Sequence, residues 1–378
     1  MSPRFRLIDS AEAWREVAPQ VRDAAHLAFD LEADGFHRYP EQTALMQLAL
    51  PDGTLLLVDP LALDDLAVFG AALADPTRTL VLHSGSYDVR ALDRDFGFHV
   101  QGLLDTAIAA QFCGLRRLGL GNVLRARLDV DLPKPKRLQR FDWSRRPLPE
   151  DALEYAASDV LHLLALADDL LTELERLDRL SWLQEECERL SEVRYDAPLP
   201  PEKAFMRLKG VRDLDPQARA VLRELFVFRE EEALRRRRPP HFVLGNRAML
   251  EIAARPDADP SRMKGLGGLA RGGGMERLRS AVRRGREAEP VPWPRSKNRN
   301  PWTPEARGRL SALKEWRRKA AEGLDLDPGT IWPAAHLERL ALTPDAELAS
   351  LDEGTPPWVR RWQWQTLGES LEAARRSL

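Results

Sequence analysis

Short apolar segments separated by turn sequences dominate the first half of the chain. Four of them predict strands because each is apolar, bounded by turn residues and too short for a typical helix: HLAFDLEADG, TALMQLAL, TLLLVDP and TLVLHSG. The turn sequence PDG between the second and third segments favours a hairpin. LDDLAVFGAALAD has helical spacing, and SYDVRALDRDFG begins a helix directly after the last of these strands.

Longer helical patterns follow in LLDTAIAAQFCG, GLGNVLRARL and EDALEYAASDVLHLLALADDLLTELERL. Pro149 suits the first turn of the last helix. Strands followed by helices that alternate with further strands are typical of a mixed sheet flanked by helices, so the first half is predicted to be an α/β domain.

The second half of the chain has helical periodicity interrupted by proline-containing breaks. Asp215 followed by Pro216 is a helix-start signal. The proline-rich segments 190–202 and 287–304 indicate linkers. The residues after the second linker repeat the order of a charged helix, a proline-containing turn and a short apolar helix, which predicts a diverged second copy of the first module. The expected domains are therefore 1–190, 202–286 and 304–378, the last two being all-α bundles.

Composition adds limits to this picture. A chain of 378 residues is expected to form two or three domains. It has no run of eighteen apolar residues, so we expect no membrane span. Cys113 and Cys187 are the only cysteines, which excludes a disulfide framework and a cysteine zinc cage. The N-terminal sequence lacks an apolar export segment, and a cytoplasmic location is expected.

Charge is distributed unevenly along the chain. Residues 1–200 contain 22 Lys and Arg against 34 Asp and Glu, whereas residues 201–378 contain 35 against 25. An acidic front half and a basic back half suggest a metal-binding catalytic part joined to a part that binds a polyanion. Ordinary solvated surface charge would give the same numbers, and that alternative stays open at this point.

Carboxylates next to apolar sequence supply the candidate chemistry. Asp30 and Glu32 are two apart on a predicted strand and share a face, and Asp88 lies where a helix begins after a strand. Tyr155 and Asp159 are four apart on a helix and also share a face. Buried carboxylates are costly without partners, and a pair of divalent cations would offset that cost and act on phosphodiesters. Each block alone also fits a surface strand, a helix cap or a chance helical spacing.

The blocks FDLEADG, HSGSYDVRAL and YAASDVLHLL resemble the three motifs of the DEDDy 3′-to-5′ exonucleases, specifically the ribonuclease D family. The intervening LPKPKRLQRFDWSRRPLPEDALEYAASDV is similar to the same family, and the resemblance covers roughly residues 6–180. It implies a ribonuclease H-like exonuclease fold. Residues 202–286 resemble the helicase-and-RNase-D C-terminal (HRDC) domain. Leu31 departs from the family pattern, which usually has Thr there, so its backbone would have to serve.

The resemblance implies that Asp30, Glu32, Asp88 and Asp159, hereafter the motif carboxylates, ligate two Mg²⁺ or Mn²⁺ ions, and that Tyr155 positions the attacking water. The implied product is a nucleoside 5′-monophosphate released from the 3′ end of RNA, tRNA precursors being the expected substrate. No membrane and no obligate protein partner is expected. A DNA 3′ exonuclease and a catalytically silent RNA-binding protein are the alternatives.

Basic side chains are candidates for contacts with nucleic acid because cations supply most of the affinity for it. The candidates near the third motif are Lys136, Arg145 and Arg146, and those in the first helical module are Arg235, Arg236, Arg237 and Arg238.

Several other side chains favour structural roles. Trp143 is expected to be a packing anchor, His83 a satisfied structural histidine and Asp105 a helix cap. The C-terminal tryptophans Trp358, Trp362 and Trp364 are expected to pack in a core.

Overall fold

The computed structural model of this chain describes residues 4–133, 135–260, 266–270, 272–294, 301–343 and 359–376. Its N-terminal half contains one six-stranded mixed sheet in the order β1-β4-β3-β2-β5-β6. The strands are β1 (Arg6–Ile8), β2 (His26–Ala33), β3 (Thr43–Ala49), β4 (Leu55–Val58), β5 (Thr79–Leu82) and β6 (Leu103–Asp105). β3 is antiparallel to β2 and β4, whereas the β1–β4, β2–β5 and β5–β6 pairs are parallel. The predicted α/β class and the β3–β4 hairpin are confirmed.

Eight helices accompany the sheet in the part of the chain that the structure describes. They are α1 (Ala11–Asp23), α2 (Ala67–Leu73), α3 (Ser86–Phe96), α4 (Thr106–Phe112), α5 (Leu120–Leu128), α6 (Glu150–Val160), α7 (Leu163–Arg176) and α8 (Leu180–Ser191). The single long helix expected from Glu150 onward is wrong, because the chain breaks between α6 and α7. Pro149 is the N-cap of α6 with extended backbone, so it precedes the first turn. α6 packs across β2, β3 and β4, and α7 packs on β2 and β5.

The two faces of the sheet have separate apolar cores, as strand alternation requires. Leu27, Phe29 and Leu31 of β2 point to a core that contains side chains of α1, α2 and α3. Ala28 points to the opposite core, which α4 to α8 cover. The side chains of residues 30 and 32 therefore share the face of Ala28, beneath α6.

The described part of the second half consists of helices in two successive groups. The first group is α9 (Pro201–Ala204), α10 (Pro216–Arg236), α11 (Pro240–Val243), α12 (Asn246–Ala254) and α13 (Gly274–Glu287). The second is α14 (Pro304–Leu324), α15 (Pro328–Ile331), α16 (Ala334–Leu342) and α17 (Arg361–Arg376). α10 and α14 have 21 residues each, α11 and α15 have 4 each, and α12 and α16 have 9 each. Both long helices begin with proline after a side-chain cap, Asp215 or Thr303.

The two helical groups relate differently to the sheet domain. The first group has its own apolar core. The second group continues the core on the α4–α8 face, to which it contributes Trp316, Trp332 and Trp362. Core packing is thus confirmed for Trp362, and Trp364 is half-buried, while Trp358 lies outside the described residues. Within the described residues, we find no helix that combines the length and the apolar character needed to cross a membrane.

Candidate active site

β2 supplies the two acids of the first motif. It is a central strand of the sheet, between β3 and β5, and it extends beyond the three residues that pair with β5. Asp30 and Glu32 are half-buried on its α6 face. A strand that is apolar on one face and carries two acids on the other places both carboxylates side by side under the covering helix.

Asp88 lies against the same strand. It is in the first turn of α3 and only 6% exposed, and the backbone N–H of Leu31 lies near enough to its carboxylate to lower the pKa of that group. The backbone of Leu31 therefore lies next to Asp88, while its side chain packs in the core. Burial raises the pKa of Asp88 to about 7, and the charge of Asp105 adds to this. A carboxyl with such a pKa gains a large benefit from a nearby cation.

Asp105 holds the turn that presents Asp88. Its carboxylate accepts hydrogen bonds from the backbone N–H groups of Ser84 at 3.0 Å and Gly85 at 2.8 Å. The same carboxylate caps α4 by accepting from Ala107 at 2.8 Å and Ile108 at 3.2 Å. The prediction of a helix cap is confirmed, and the contacts with the turn are an additional role that the sequence did not reveal.

Tyr155 and Asp159 come to this face from α6. Asp159 is 5% exposed and lies beside the Tyr155 hydroxyl. Burial raises the pKa of the Tyr155 hydroxyl, and the charges of Asp159, Glu32 and Asp30 raise it further. The tyrosine therefore lies within the field of three motif carboxylates and stays protonated at neutral pH, which suits a hydrogen-bond donor.

Aromatic packing fixes the ring of Tyr155. The ring of Trp143 stacks on it with centroids 6.3 Å apart, and Phe141 meets Trp143 edge to face at 5.2 Å. Trp143 is 1% exposed, so its predicted role as a packing anchor is confirmed. His83 is also structural, as predicted: one ring nitrogen lies 2.8 Å from Thr106 Oγ1 and the other 2.7 Å from the carbonyl of Leu118.

The donor set suits hard divalent cations, since carboxylate oxygens are the ligands that Mg²⁺ and Mn²⁺ prefer. The contacts above place Asp88 beside the backbone of β2 and place Tyr155 near the other three acids. Across the described residues, however, no three His, Cys, Asp or Glu side chains are arranged closely enough to hold an ion as they stand. Asp30, Glu32 and Asp159 thus lie on the α6 face of β2 and Asp88 lies beside the backbone of that strand, without a closed coordination site among the described residues.

The basic candidates near the third motif differ in their surroundings. Lys136 is exposed, and the side chain of Arg145 is 70% exposed with one contact to Asp142 at 3.3 Å. Arg146 forms two hydrogen bonds with the buried carboxylate of Asp59, at 2.5 and 2.6 Å. It also donates to the carbonyl groups of Ala44, Trp143 and Arg145, so its guanidinium ties the loop to the sheet.

The four consecutive arginines at the end of α10 also differ in their contacts. Arg235 and Arg236 pair with Glu232, which is 1% exposed and also binds Arg277. Arg238 lies over the ring of Phe242 at 5.5 Å. Arg237 is exposed, ends α10 in the left-handed conformation and lines a cleft.

This cleft, of about 630 Å³, lies between the sheet domain and α10, next to the end of β2. Six of the residues that line it are Arg38, Tyr39, Gln42, Ser144, Leu234 and Arg237. The Tyr39 hydroxyl donates to Glu230 of α10 at 2.7 Å and so joins the two parts at the cleft. The loop FHRYPEQ carried no recognisable signal for this position.

Comparisons with known proteins agree with this geometry. A family profile described as 3′-5′ exonuclease matches residues 5–175, and one described as HRDC domain matches residues 218–273. The ribonuclease D of Gluconacetobacter diazotrophicus is 30% identical over 373 residues, which are 97% of this chain and 92% of that protein.

Two solved structures are similar over nearly the whole chain. The structure of Escherichia coli RNase D, described as an exoribonuclease involved in structured RNA processing, has a TM-score of 0.73 at 26% identity and covers 99% of each chain. A protein from Bifidobacterium adolescentis has a TM-score of 0.85 at 26% identity, covering 98% of this chain and 97% of that one.

Proposed function

Since the chain belongs to the ribonuclease D family and is a 3′-to-5′ exoribonuclease, we propose that the four motif carboxylates hold two divalent cations, Mg²⁺ or Mn²⁺, at the α6 face of β2. Exonucleases of this kind generally depend on divalent metal. When bound, such ions supply an activated water and stabilise the leaving 3′ oxygen. The observation that carries the proposal is the contact of Asp88 with the Leu31 backbone, which joins the second motif to the first.

Tyr155 orients the attacking water in this proposal. Its hydroxyl remains protonated beside Asp159, so it acts as a hydrogen-bond donor and not as a base. The packing of Trp143 on its ring keeps the hydroxyl in place during turnover. The product is a nucleoside 5′-monophosphate, released one residue at a time from the 3′ end.

The substrate we propose is RNA with a free, single-stranded 3′ tail, such as a tRNA precursor. The cleft beside the end of β2 offers Arg38 and Arg237 to its phosphates, and Lys136 and Arg145 extend the basic surface near the third motif. Arg146 is assigned to structure because Asp59 and three carbonyl groups take up its donors. Binding through such contacts falls as salt rises.

We further propose that the domains are 1–190, 202–286 and 304–378, the last being a diverged copy of the HRDC-type module. The recurring helix lengths in the two groups support this division. The module at 304–378 is proposed to stabilise the catalytic domain, since its tryptophans are buried in the shared core.

The test replaces Asp30 with Asn and follows 3′-labelled RNA in Mg²⁺ or Mn²⁺. A metal site supplies several kcal/mol of transition-state stabilisation, and each 1.4 kcal/mol is tenfold, so kcat/KM should fall at least ~100-fold. Asp52→Asn, in the exposed turn before β4, makes the same chemical change away from the site and should be neutral. Unchanged hydrolysis by Asp30→Asn would refute the two-metal account. Comparing kcat/KM on a DNA substrate with a 3′ tail of the same sequence measures the preference for RNA.

A further inference from the structure

Gln47 is a buried polar residue in an otherwise apolar strand. It lies in the middle of β3, between Met46 and Leu48, and is 0% exposed. Neither its side-chain nitrogen nor its side-chain oxygen forms a hydrogen bond to any described residue. A buried amide with both ends unsatisfied is costly, and an apolar side chain of the same size would avoid that cost.

The register of the sheet places Gln47 directly opposite Asp30. The two residues are Cα partners in the antiparallel β2–β3 pair, and directly opposed side chains lie on the same face. Leu45 and Ala49, two residues before and after Gln47, belong to the core on the α6 face, so Gln47 also points beneath α6. The side-chain amide is therefore buried beside a carboxylate of the first motif.

We propose that Gln47 is a positioning residue that holds the Asp30 carboxylate through a hydrogen bond from its side-chain N–H₂ in the cation-loaded enzyme. A neutral amide suits this role, because it donates to a carboxylate without adding a positive charge that would compete with the cations. The inference rests on the proposed function, since it requires Asp30 to be a ligand. It explains why this strand keeps a polar side chain that stabilises nothing in the fold itself.

The experiment compares Gln47→Met with the wild type in three measurements: thermal unfolding without cations, Mn²⁺ affinity by electron paramagnetic resonance, and kcat and KM on a 3′-labelled RNA. Groups that orient metal ligands are typically worth 10–100-fold in metal affinity or activity. We expect Gln47→Met to weaken Mn²⁺ binding or lower kcat by about that factor, with the KM for RNA unchanged. Its cation-free melting temperature should be equal to or above that of the wild type, because no hydrogen bond is lost.

Leu45→Met is the matched control, since Leu45 is on the same strand and face, is equally buried and lies opposite Glu32. It should keep Mn²⁺ affinity and kcat. If the melting temperature of Gln47→Met is too low for the assays, the same measurements are made on Gln47→Leu, with the Mn²⁺ affinity expressed per folded molecule.

Wild-type Mn²⁺ affinity and kcat in a folded Gln47→Met would overturn the role of Gln47, as would an equal loss in Leu45→Met. The proposed function fails separately: in that case Asp30→Asn itself would bind Mn²⁺ and cleave RNA like the wild type.

Discussion

Trp362 joins the C-terminal helices to α8 and α4 of the sheet domain. It is 1% exposed, stacks on Trp182 of α8 with centroids 4.6 Å apart, and meets Phe112 edge to face at 5.3 Å. Its backbone N–H donates to Glu185 at 3.0 Å, and its ring N–H donates to Glu186 at 3.2 Å. Replacing Trp362 with Ala removes the ring and one of these hydrogen bonds together.

The expected loss in free energy of unfolding is large. Truncating a buried tryptophan to alanine costs about 3–5 kcal/mol, a range that already includes the lost ring contacts. The lost indole hydrogen bond is worth roughly 1 kcal/mol more where a carboxylate is left without it. We therefore expect Trp362→Ala to lower the stability of the exonuclease domain by about 4–6 kcal/mol, a large part of the ~5–15 kcal/mol typical of a domain.

The assay is urea unfolding followed by circular dichroism, with exonuclease activity as a second probe of the catalytic domain. Trp293→Ala is the matched control, because the ring of Trp293 is exposed at the surface, with the guanidinium of Arg219 over it at 5.9 Å. Trp293→Ala should lower the free energy of unfolding by no more than ~0.5–1 kcal/mol. A loss below ~1 kcal/mol for Trp362→Ala, or one equal to the control, would refute the view that the C-terminal helices share the catalytic core.

Three further predictions concern titration, a buried ion cluster and RNA contacts. The pKa of Asp88 in the folded protein, about 7, lies above its ordinary 3.8, so the native state binds the proton more tightly than the unfolded state. The free energy of unfolding without cations should therefore fall as pH rises from about 4 to 7. Asp88→Asn should flatten this dependence in thermal melts, and an unchanged slope would contradict the raised pKa of Asp88. Glu232→Gln should destabilise the first helical module by ~1.5–3 kcal/mol, because it weakens the charge-assisted hydrogen bonds from three partly exposed arginines. A loss under ~0.5 kcal/mol would show that these pairs are only surface charges. Arg237→Gln should weaken RNA binding and reduce the slope of log K against log salt by about 0.7 in a filter-binding assay. Arg176→Gln, at an exposed position of α7, should leave both the affinity and the slope unchanged. Equal slopes for the two variants would show that Arg237 does not contact RNA.

Part of the fold could be predicted from the sequence because its signals are local. β2, β3, β4 and β5 are apolar runs bounded by turns, and each has a length that periodicity can detect. β1 and β6 have three residues each, and they exist only through parallel pairing with β4 and β5. Such strands carry too few residues for a pattern of their own.

The break between α6 and α7 was missed for a different reason. The apolar periodicity continues through Leu161 and His162, so the sequence indicates one helix. The chain changes direction there because α6 covers β2, β3 and β4 whereas α7 covers β2 and β5. Periodicity reports which face of a helix is buried, but it does not report which surface buries it.

The residue types of the candidate site could be predicted from the sequence, but most of the contacts that surround these residues could not. Spacing placed Asp30 with Glu32 and Tyr155 with Asp159, because two and four residues are the repeats of a strand and a helix face. Spacing could not show that Arg146 would be taken up by Asp59, or that Gln47 would lie opposite Asp30, since both depend on residues distant in sequence. A lone glutamine inside an apolar strand is the one signal in the sequence that singles out Gln47.

The two helical groups have similar elements, yet they support the site in different ways. α10 borders the cleft at the end of β2 and is joined to it by Tyr39, so the first group lies at the cleft that we propose receives the substrate tail. The second group packs on α8, where Glu185 accepts the first N–H groups of α17. Cys187 of the same helix α8 accepts the N–H of Asp105 at 3.4 Å, and Asp105 holds the turn before Asp88. These consecutive contacts connect the C-terminal helices to the turn before a motif carboxylate, so we expect substitutions in these helices to affect activity without any contact between them and RNA.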